Sequence, residues 1–208
     1  MRIIVRVSCF ILVMSGCVSK PNKFSDPNLL KIAELQDRRI TDSLIHFLLD
    51  PTVIYRIEAA IALGSVQDSS ASLQLGTMLL EDPIVEARSA AAFALGQTRG
   101  TAAVNALIPA IEDRENTVVR EALISLGKTI SNYNLTILKR FNAKDSITQQ
   151  GLAWGFYYLG LRGMADSTIV KKAKEFLSPK YSTQTRLGAA HFFSRAIKLP
   201  LQIGRAHV

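Results

Sequence analysis

The sequence has little of what most enzyme sites are built from. Its 208 residues include two cysteines, three histidines and one tryptophan, and aromatic residues make up 7%. No C-x-x-C, H-x-x-x-H, G-x-S-x-G or P-loop pattern occurs, so the usual motifs of zinc sites, serine hydrolases and nucleotide-binding loops are missing. We therefore predict no catalytic residue, no cofactor and no metal site in the chain as given.

Long alternations of Val, Ile and Tyr with polar residues are also missing, which argues against a β-sandwich or barrel. Ala and Leu are abundant instead, in a composition that is 48% apolar. These residues favour helices, and the length allows one or two ordinary domains. The sequence therefore favours a helical protein.

The first residues have the features of a secretory signal peptide, predicted here as 1–16. Arg2 and Arg6 precede an apolar run that is short for a membrane span. The run ends in MSGC (14–17), which resembles the lipobox of bacterial lipoproteins. That resemblance implies cleavage before Cys17 and a diacylglycerol on its sulfur. An ordinary signal peptide with a chance cysteine and an uncleaved anchor are the alternatives.

The polar, proline-containing stretch 17–25 reads as a tether between the lipid and the fold. No acidic run follows Cys17 directly, so we expect a lipid-anchored position in the bacterial cell envelope, at the outer membrane and facing the periplasm. The membrane is therefore an expected partner, through the lipid on Cys17.

Charge is distributed unevenly along the chain. Residues 18–121 carry 10 basic and 14 acidic side chains, whereas residues 122–202 carry 12 basic and 3 acidic ones. A basic half is typical of proteins that meet nucleic acid, anionic lipid or an acidic protein. Export argues against nucleic acid.

An internal repeat organises most of the chain. Four segments align, YRIEAAIALGS (55–65), ARSAAAFALGQ (87–97), VREALISLGK (119–128) and GLAWGFYYLGL (151–161), and a fifth, TRLGAAHFFSR (185–195), is weaker. The glycines of the four recur at spacings of 32, 31 and 33 residues. Regular periods of this length indicate stacked helical hairpins, so we predict an all-α solenoid.

The predicted boundaries follow from the repeat. A shorter capping hairpin covers 26–49, and the repeats cover 50–81, 82–112, 113–144, 145–177 and, incompletely, 178–202. Asp-Pro pairs, Asp26-Pro27, Asp50-Pro51 and Asp82-Pro83, are predicted to cap first helices at their N-termini, as are Asp145 and the pair Ser178-Pro179. The same helices are predicted to end at left-handed C-cap glycines, namely Gly64, Gly96, Gly127 and Gly160. The second helix of repeat 50–81 is predicted to bury Leu73, Leu79 and Leu80.

The pattern D-P-x-V/I-x-x-R-x-x-A-A-x-A-L-G resembles the HEAT repeat in its short bacterial form. The resemblance implies an α-solenoid in which an Asp and an Arg, six residues apart, bridge successive repeats as a ladder. The matching pairs are Asp50 with Arg56, Asp82 with Arg88 and, one residue longer and therefore of doubtful register, Asp113 with Arg120. A structural ladder is preferred over a row of anion-binding arginines.

A second resemblance rests on KFSDPNLLKIAELQDRR (23–39), SVQD (65–68) and AAAFALGQT (90–98). These strings are similar to exported bacterial proteins that join N-terminal HEAT repeats to a C-terminal cyclophilin-type peptidylprolyl isomerase domain. The resemblance implies that the chain is the N-terminal region of such an enzyme. No segment resembles the cyclophilin barrel, so isomerase activity is assigned to no residue of this chain.

The most unusual stretch is WGFYYLGLRG (154–163). Its large aromatic side chains form either a bulky packing layer or a surface that binds a partner, since Trp, Tyr and Arg concentrate at binding hot spots. The residues of that candidate patch are Trp154, Tyr157, Tyr158 and Arg162, with Lys171 and Lys172 as a positively charged rim. His46 and His191 lie in apolar segments, so we expect packed histidines rather than ligands.

The last six residues, IGRAHV (203–208), match one reading frame of a widely used sequencing-adapter oligonucleotide. We therefore hypothesise that 203–208 is an artefact. The expectation for function is a lipid-anchored scaffold whose second helices line a concave surface for a protein or peptide. The alternative is the isomerase fragment described above.

Overall fold

A computed structural model describes residues 22, 25–129 and 132–199, with the side chains of 132–134 excepted. The signal peptide, Cys17 and residues 203–208 lie outside the described residues. The described part contains eleven α-helices and no strand, which confirms the all-α prediction. The helices are α1 (Pro27–Asp37), α2 (Thr41–Phe47), α3 (Val53–Val66), α4 (Ser72–Glu81), α5 (Val85–Thr98), α6 (Gly100–Leu107), α7 (Asn116–Lys128), α8 (Asn132–Arg140), α9 (Ser146–Leu161), α10 (Ser167–Glu175) and α11 (Thr183–Arg195). None of the helices in this part of the chain has the length and apolar character needed to cross a bilayer.

The helices pack in two rows. The odd-numbered helices α1 to α11 form the row of first helices, and each packs against the next one along the row. The even-numbered helices form the row of second helices, in which α4 packs against both α5 and α6. Each predicted repeat contributes one helix to each row, except that 178–202 contributes α11 alone. The chain therefore builds a solenoid-like stack of hairpins.

The buried core residues recur with the same period as the sequence repeat. The leucine before each marker glycine, Leu63, Leu95, Leu126 and Leu159, is fully buried. Burying one leucine contributes roughly 1.5–3 kcal/mol, so each repeat adds a similar increment through the same position. The alanines beside it, including Ala59, Ala60, Ala91 and Ala92, are buried too and let neighbouring first helices approach closely.

The prediction that the marker glycines are left-handed C-caps is wrong. Gly64, Gly96, Gly127 and Gly160 lie inside α3, α5, α7 and α9, before the helices end. The glycines with positive φ in the described residues are Gly100 and Gly163. The left-handed residue after α3 is Gln67, with φ 60°. Helical hydrogen bonding simply continues through each marker glycine.

Close contact between first helices explains the marker glycines. A Cβ at Gly96 would lie 2.7 Å from Cβ of Ser125 on α7, and one at Gly64 would lie 3.1 Å from Cα of Ala94 on α5. A side chain at these points would push adjacent helices apart. The glycines are therefore packing positions between repeats.

The Asp-Pro prediction is correct for one pair and displaced for two. Asp26 caps α1, and its carboxylate accepts hydrogen bonds from the amides of Asn28 and Leu29. Asp50 and Asp82 instead accept from the amides two residues on, and α3 and α5 begin only at Val53 and Val85. Each carboxylate closes a turn before the helix, which leaves its second oxygen available to another repeat.

Candidate partner-binding surface

Arginines of the first helices bind the aspartates of the next repeat. Arg56 donates from Nε to Oδ2 of Asp82 (2.7 Å) and from Nη2 to Oδ1 (3.0 Å). Arg88 donates in the same way to Asp113, at 2.8 Å and 3.0 Å. Paired parallel hydrogen bonds of this kind are the strongest form of a carboxylate–guanidinium contact.

Within one repeat the contact is made by the backbone. Arg56 Nη1 donates to the carbonyl of Asp50 at 2.8 Å, and Arg88 Nη1 donates to the carbonyl of Asp82 at 3.0 Å. The guanidinium groups are therefore engaged on both sides. These two arginines form a structural ladder and are not available as a row of anion sites.

Burial and hydrogen bonding shift the pKa values of the ladder carboxylates, Asp82 and Asp113, in opposite directions. Burial raises the pKa of Asp82, but hydrogen bonds from Arg56 and from the amide of Ile84 lower it further, so the net pKa lies below its usual value. The same balance lowers the pKa of Asp113, through Arg88. Both carboxylates are held in the charged form.

The third predicted pair, Asp113 with Arg120, does not continue the ladder. Arg120 makes no ion pair within the described residues, and the aspartate of the following repeat, Asp145, caps α9 instead. At this point α7 and α9 approach through glycines: a Cβ at Gly151 would lie 2.7 Å from Cα of Arg120. Backbone contact replaces the ion pair between these two repeats.

The row of second helices exposes large apolar side chains. Leu49 is 82% exposed, Leu73 74% and Leu80 51%. The prediction that α4 buries Leu73 and Leu80 is therefore wrong, whereas Leu79 is fully buried as predicted. Residues 73 and 80 are seven apart and share a face of the helix, while Leu75, Met78 and Leu79 face the core. The apolar character of α4 on two faces is the sequence signal that could have revealed this surface.

Two hollows flank the exposed leucines. One, of about 430 Å³, lies between the end of α2 and α4 and is lined by Leu48, Leu49 and Met78 among others. The other, of about 390 Å³, lies between α4 and α6 and is lined by Leu73, Gly76 and Leu80 among others. Exposed apolar ridges beside hollows are typical of surfaces that bind other proteins. We call the outward face of α2, α4 and α6 the second-helix face.

Comparison with known proteins agrees with this architecture. The family described as HEAT repeats matches residues 72–155. This segment consists of HEAT repeats. Its ladder at Arg88 and Asp113 and its close-packed glycines Gly96 and Gly127 are the features that join one HEAT repeat to the next. No curated protein matches the chain.

Among solved structures, the chain is similar to human deoxyhypusine hydroxylase in complex with glycerol. The identity is 14%, the alignment covers 83% of this chain and 78% of that one, and the TM-score is 0.40. A likeness this distant supports no inference about activity.

The aromatic residues of the stretch 154–158 pack on one another and on neighbouring helices. Trp154 lies edge-to-face with Tyr157 at 5.5 Å between ring centroids, and both rings contact His191 of α11, at 5.3 and 5.9 Å. Lys128 lies between the rings of Phe93 and Tyr158, with Nζ 5.0 and 5.3 Å from their centroids. Burial lowers the pKa of this lysine, and Glu121 partly offsets that effect. These rings therefore tie α5, α7, α9 and α11 together.

The predicted patch is not one surface. Arg162 donates from Nη1 to the carbonyl of Gly127 at 2.6 Å, and Lys172 donates to the carbonyl of Lys139 at 2.6 Å, at the end of α8. Lys171 is exposed on α10. This helix contacts α9 on the side that carries Phe156, through the ring of Phe176. Arg162 and Lys172 are thus engaged with backbone carbonyls, and Lys171 points into solvent on another helix, so the three do not form one surface with the tryptophan.

The two histidines differ. His191 is half-buried in the aromatic cluster, as the packed interpretation expected. His46 is exposed, so the same expectation is wrong there. The helix α2 is only seven residues long and covers α3 with one face, which leaves its histidine in solvent.

Proposed function

We propose that this chain is a lipid-anchored HEAT-repeat scaffold of the cell envelope that binds a protein partner along the second-helix face. The observation that carries the proposal is the exposure of Leu49, Leu73 and Leu80 beside two hollows. Covering an exposed leucine fully contributes roughly 1.5–3 kcal/mol. Three such side chains on adjacent hairpins supply an exposed apolar patch of the kind that marks protein-binding surfaces.

The charged side chains of this region indicate which charge the partner segment carries. Residues 40–98 contain two basic side chains, Arg56 and Arg88, against the acidic side chains Asp42, Asp50, Glu58, Asp68, Glu81, Asp82 and Glu86. Both arginines are engaged in the ladder. On the second-helix face itself, Asp42 of α2 and Glu81 of α4 are exposed. Acidic side chains beside apolar ridges favour a partner segment that combines apolar and basic side chains, because complementary charge speeds association and suppresses wrong partners.

The anchor is the other half of the proposal. The charged start, the apolar run and the MSGC string support processing at Cys17, with the lipid holding the scaffold at the outer membrane on its periplasmic side. More than one acyl chain is needed for stable attachment, and lipoprotein processing supplies several. The tether 17–25 then lets the repeats reach a partner near the membrane.

The interface is tested with Leu73→Ser combined with Leu80→Ser. Affinity purification of the tagged chain from detergent-solubilised envelopes of the producing bacterium should recover a partner with the wild type and lose at least nine-tenths of it with the double variant. The matched control is Leu187→Ser, which alters a leucine of similar exposure to Leu80, 43%, on α11. Equal recovery with the double variant would disprove the proposed face.

The anchor is tested separately by Cys17→Ser. The wild-type chain should be labelled by a clickable palmitate analogue and sediment with membranes, and the variant should do neither. A wild-type chain that takes up no label, together with unchanged membrane sedimentation of the Cys17→Ser variant, would rule out the lipid anchor.

A further inference from the structure

The hollow between α2 and α4 has apolar walls. Leu48, Leu49 and Pro51 come from the segment after α2, Met78 from α4 and Pro83 from the start of the next repeat. Its volume of about 430 Å³ is within the range of pockets that hold small ligands or single large side chains. We call it the anchor pocket.

Arg56 lines the anchor pocket, but its guanidinium nitrogens already donate hydrogen bonds to other groups of the protein. Its Nε and Nη2 donate to Asp82, and its Nη1 donates to the carbonyls of Asp50 and Pro51. Adding an anion would require breaking the ladder. The pocket therefore offers no anion site at Arg56, and its apolar walls favour an apolar occupant.

The rim of the anchor pocket is acidic. Glu81 is exposed on α4, and Asp50 uses one carboxylate oxygen for the amide of Thr52 at 2.7 Å. Arg56 is the sole cation in the lining, and it is already neutralised by Asp82. A group with a positive charge next to the apolar occupant would therefore meet uncompensated carboxylate at the rim.

We propose that the anchor pocket takes one large aliphatic side chain of the partner, with a neighbouring Lys or Arg of the same peptide bound at the rim by Glu81 and Asp50. This inference rests on the proposed function, since it names the chemistry of the segment that the second-helix face binds. The aliphatic side chain replaces water against Leu48, Leu49 and Met78, and the cation pairs with the carboxylates of Glu81 and Asp50 at the rim. Burial supplies the affinity, and the charge pair selects the sequence.

The test uses synthetic peptides and the purified full-length chain. The probe is fluorescein-labelled GSGLKKLGSG, and the matched peptides are GSGLEELGSG and GSGSKKSGSG. Binding is followed by fluorescence anisotropy and by the ¹³C-methyl signal of Met78, which is one of four methionines in the chain and is assigned with Met78→Leu. We expect the first peptide to bind and shift the Met78 signal, and the other two to bind at least tenfold more weakly.

Two pairs of variants locate the binding. Gln74→Trp fills the pocket from an exposed position and should weaken the probe at least fivefold, whereas Ser65→Trp, exposed on α3, should not change it. Glu81→Gln should weaken it about threefold, whereas Glu86→Gln, exposed on α5 outside the pocket, should not. Circular dichroism melts confirm that all four variants fold.

The inference is overturned if the lysine and glutamate peptides bind equally, if Gln74→Trp leaves binding unchanged, or if no probe binds at millimolar concentration. Its failure is distinguishable from failure of the proposed function. A partner that is lost with Leu73→Ser and Leu80→Ser but retained with Gln74→Trp uses the second-helix face without the anchor pocket. A partner that is retained with all of these variants contradicts both.

Discussion

Arg56 and Asp82 are 26 residues apart in sequence and are joined by two parallel hydrogen bonds, at 2.7 and 3.0 Å. Their side chains are 12% and 5% exposed, so water screens the pair weakly. Asp82 also closes the turn before α5 through the amide of Ile84. One carboxylate therefore sets both the start of a repeat and its position against the preceding repeat.

Replacing Asp82 with Asn tests the charged contact, because Asn can still accept from Ile84 but cannot pair with Arg56 as an anion. At pH 7 we expect a loss of about 2 kcal/mol of unfolding free energy, the range for a hydrogen bond between charged groups. The measurement is urea denaturation of the variant and the wild type, with Glu86→Gln as a control that should match the wild type.

The same variant predicts a pH dependence. Because the pKa of Asp82 is lowered in the folded state, its contribution is complete above the unfolded pKa, about 3.9, and is lost as the pH falls below that value. The difference between Asp82→Asn and the wild type should therefore shrink between pH 5 and about pH 3. A difference that stays constant over this range would mean that the charge of Asp82 contributes nothing.

A double-mutant cycle between Gly96 and Ser125 tests the role of the marker glycines. Gly96→Ala should cost about 1–3 kcal/mol by overpacking, since its Cβ would lie 2.7 Å from Cβ of Ser125. Ser125→Gly should recover part of that loss when the two are combined, which gives a coupling energy of at least about 0.5 kcal/mol. Additive effects in thermal or urea melts would show that Gly96 is not limited by this contact.

Ser125 alone offers a stabilising substitution. Its Oγ is buried and has no hydrogen-bond partner among the described residues. Leaving a polar group unpaired costs about 1–3 kcal/mol, so Ser125→Ala should raise the unfolding free energy by about 1 kcal/mol. The matched control is Ser72→Ala, which removes a buried hydroxyl that does contact another, Thr98 Oγ1 at 3.5 Å. A lower melting temperature for Ser125→Ala would contradict the assignment of an unpaired hydroxyl.

The period of the sequence was enough to predict the stack of hairpins, because each repeat places a leucine and small residues at the same position of its first helix. The glycines were misassigned for a physical reason. A glycine near the end of a helix has the same sequence signature whether it adopts the left-handed cap or admits a neighbouring helix, and only the neighbour, Ser125 for Gly96, distinguishes the two. Contacts between repeats cannot be predicted from the sequence of one repeat alone.

The candidate surface was harder to predict than the stack. Leu73 and Leu80 look like core residues in sequence, and their exposure follows from how α4 rotates to bury Leu75, Met78 and Leu79. The sequence left the aromatic stretch open as a packing layer or a partner-binding surface, and the structure packs it between α7, α9 and α11. In both cases the side of the helix that meets its neighbours decided the outcome.

Backbone contact between α7 and α9 gives another prediction. A Cβ at Gly127 would lie 2.6 Å from Cα of Gly155, where no side chain can move aside. Gly127→Ala should therefore destabilise the chain by about 2–3 kcal/mol despite the better helix propensity of alanine. Gly76→Ala is the matched control, because its Cβ would meet the Ala106 side chain at 3.0 Å, and it should change stability by less than about 1 kcal/mol. Equal effects in urea melts would argue against a rigid α7–α9 contact.

The central claim is that the second-helix face, and not the row of first helices, meets the partner. Its most direct test places a photo-crosslinking amino acid at Leu73 or at Ile61, two exposed apolar positions on opposite rows, in the full-length chain within the producing bacterium. The account predicts a single discrete adduct at Leu73, lost when Leu80→Ser is added, and none at Ile61. The same adduct from Ile61, or no adduct from Leu73, would contradict it.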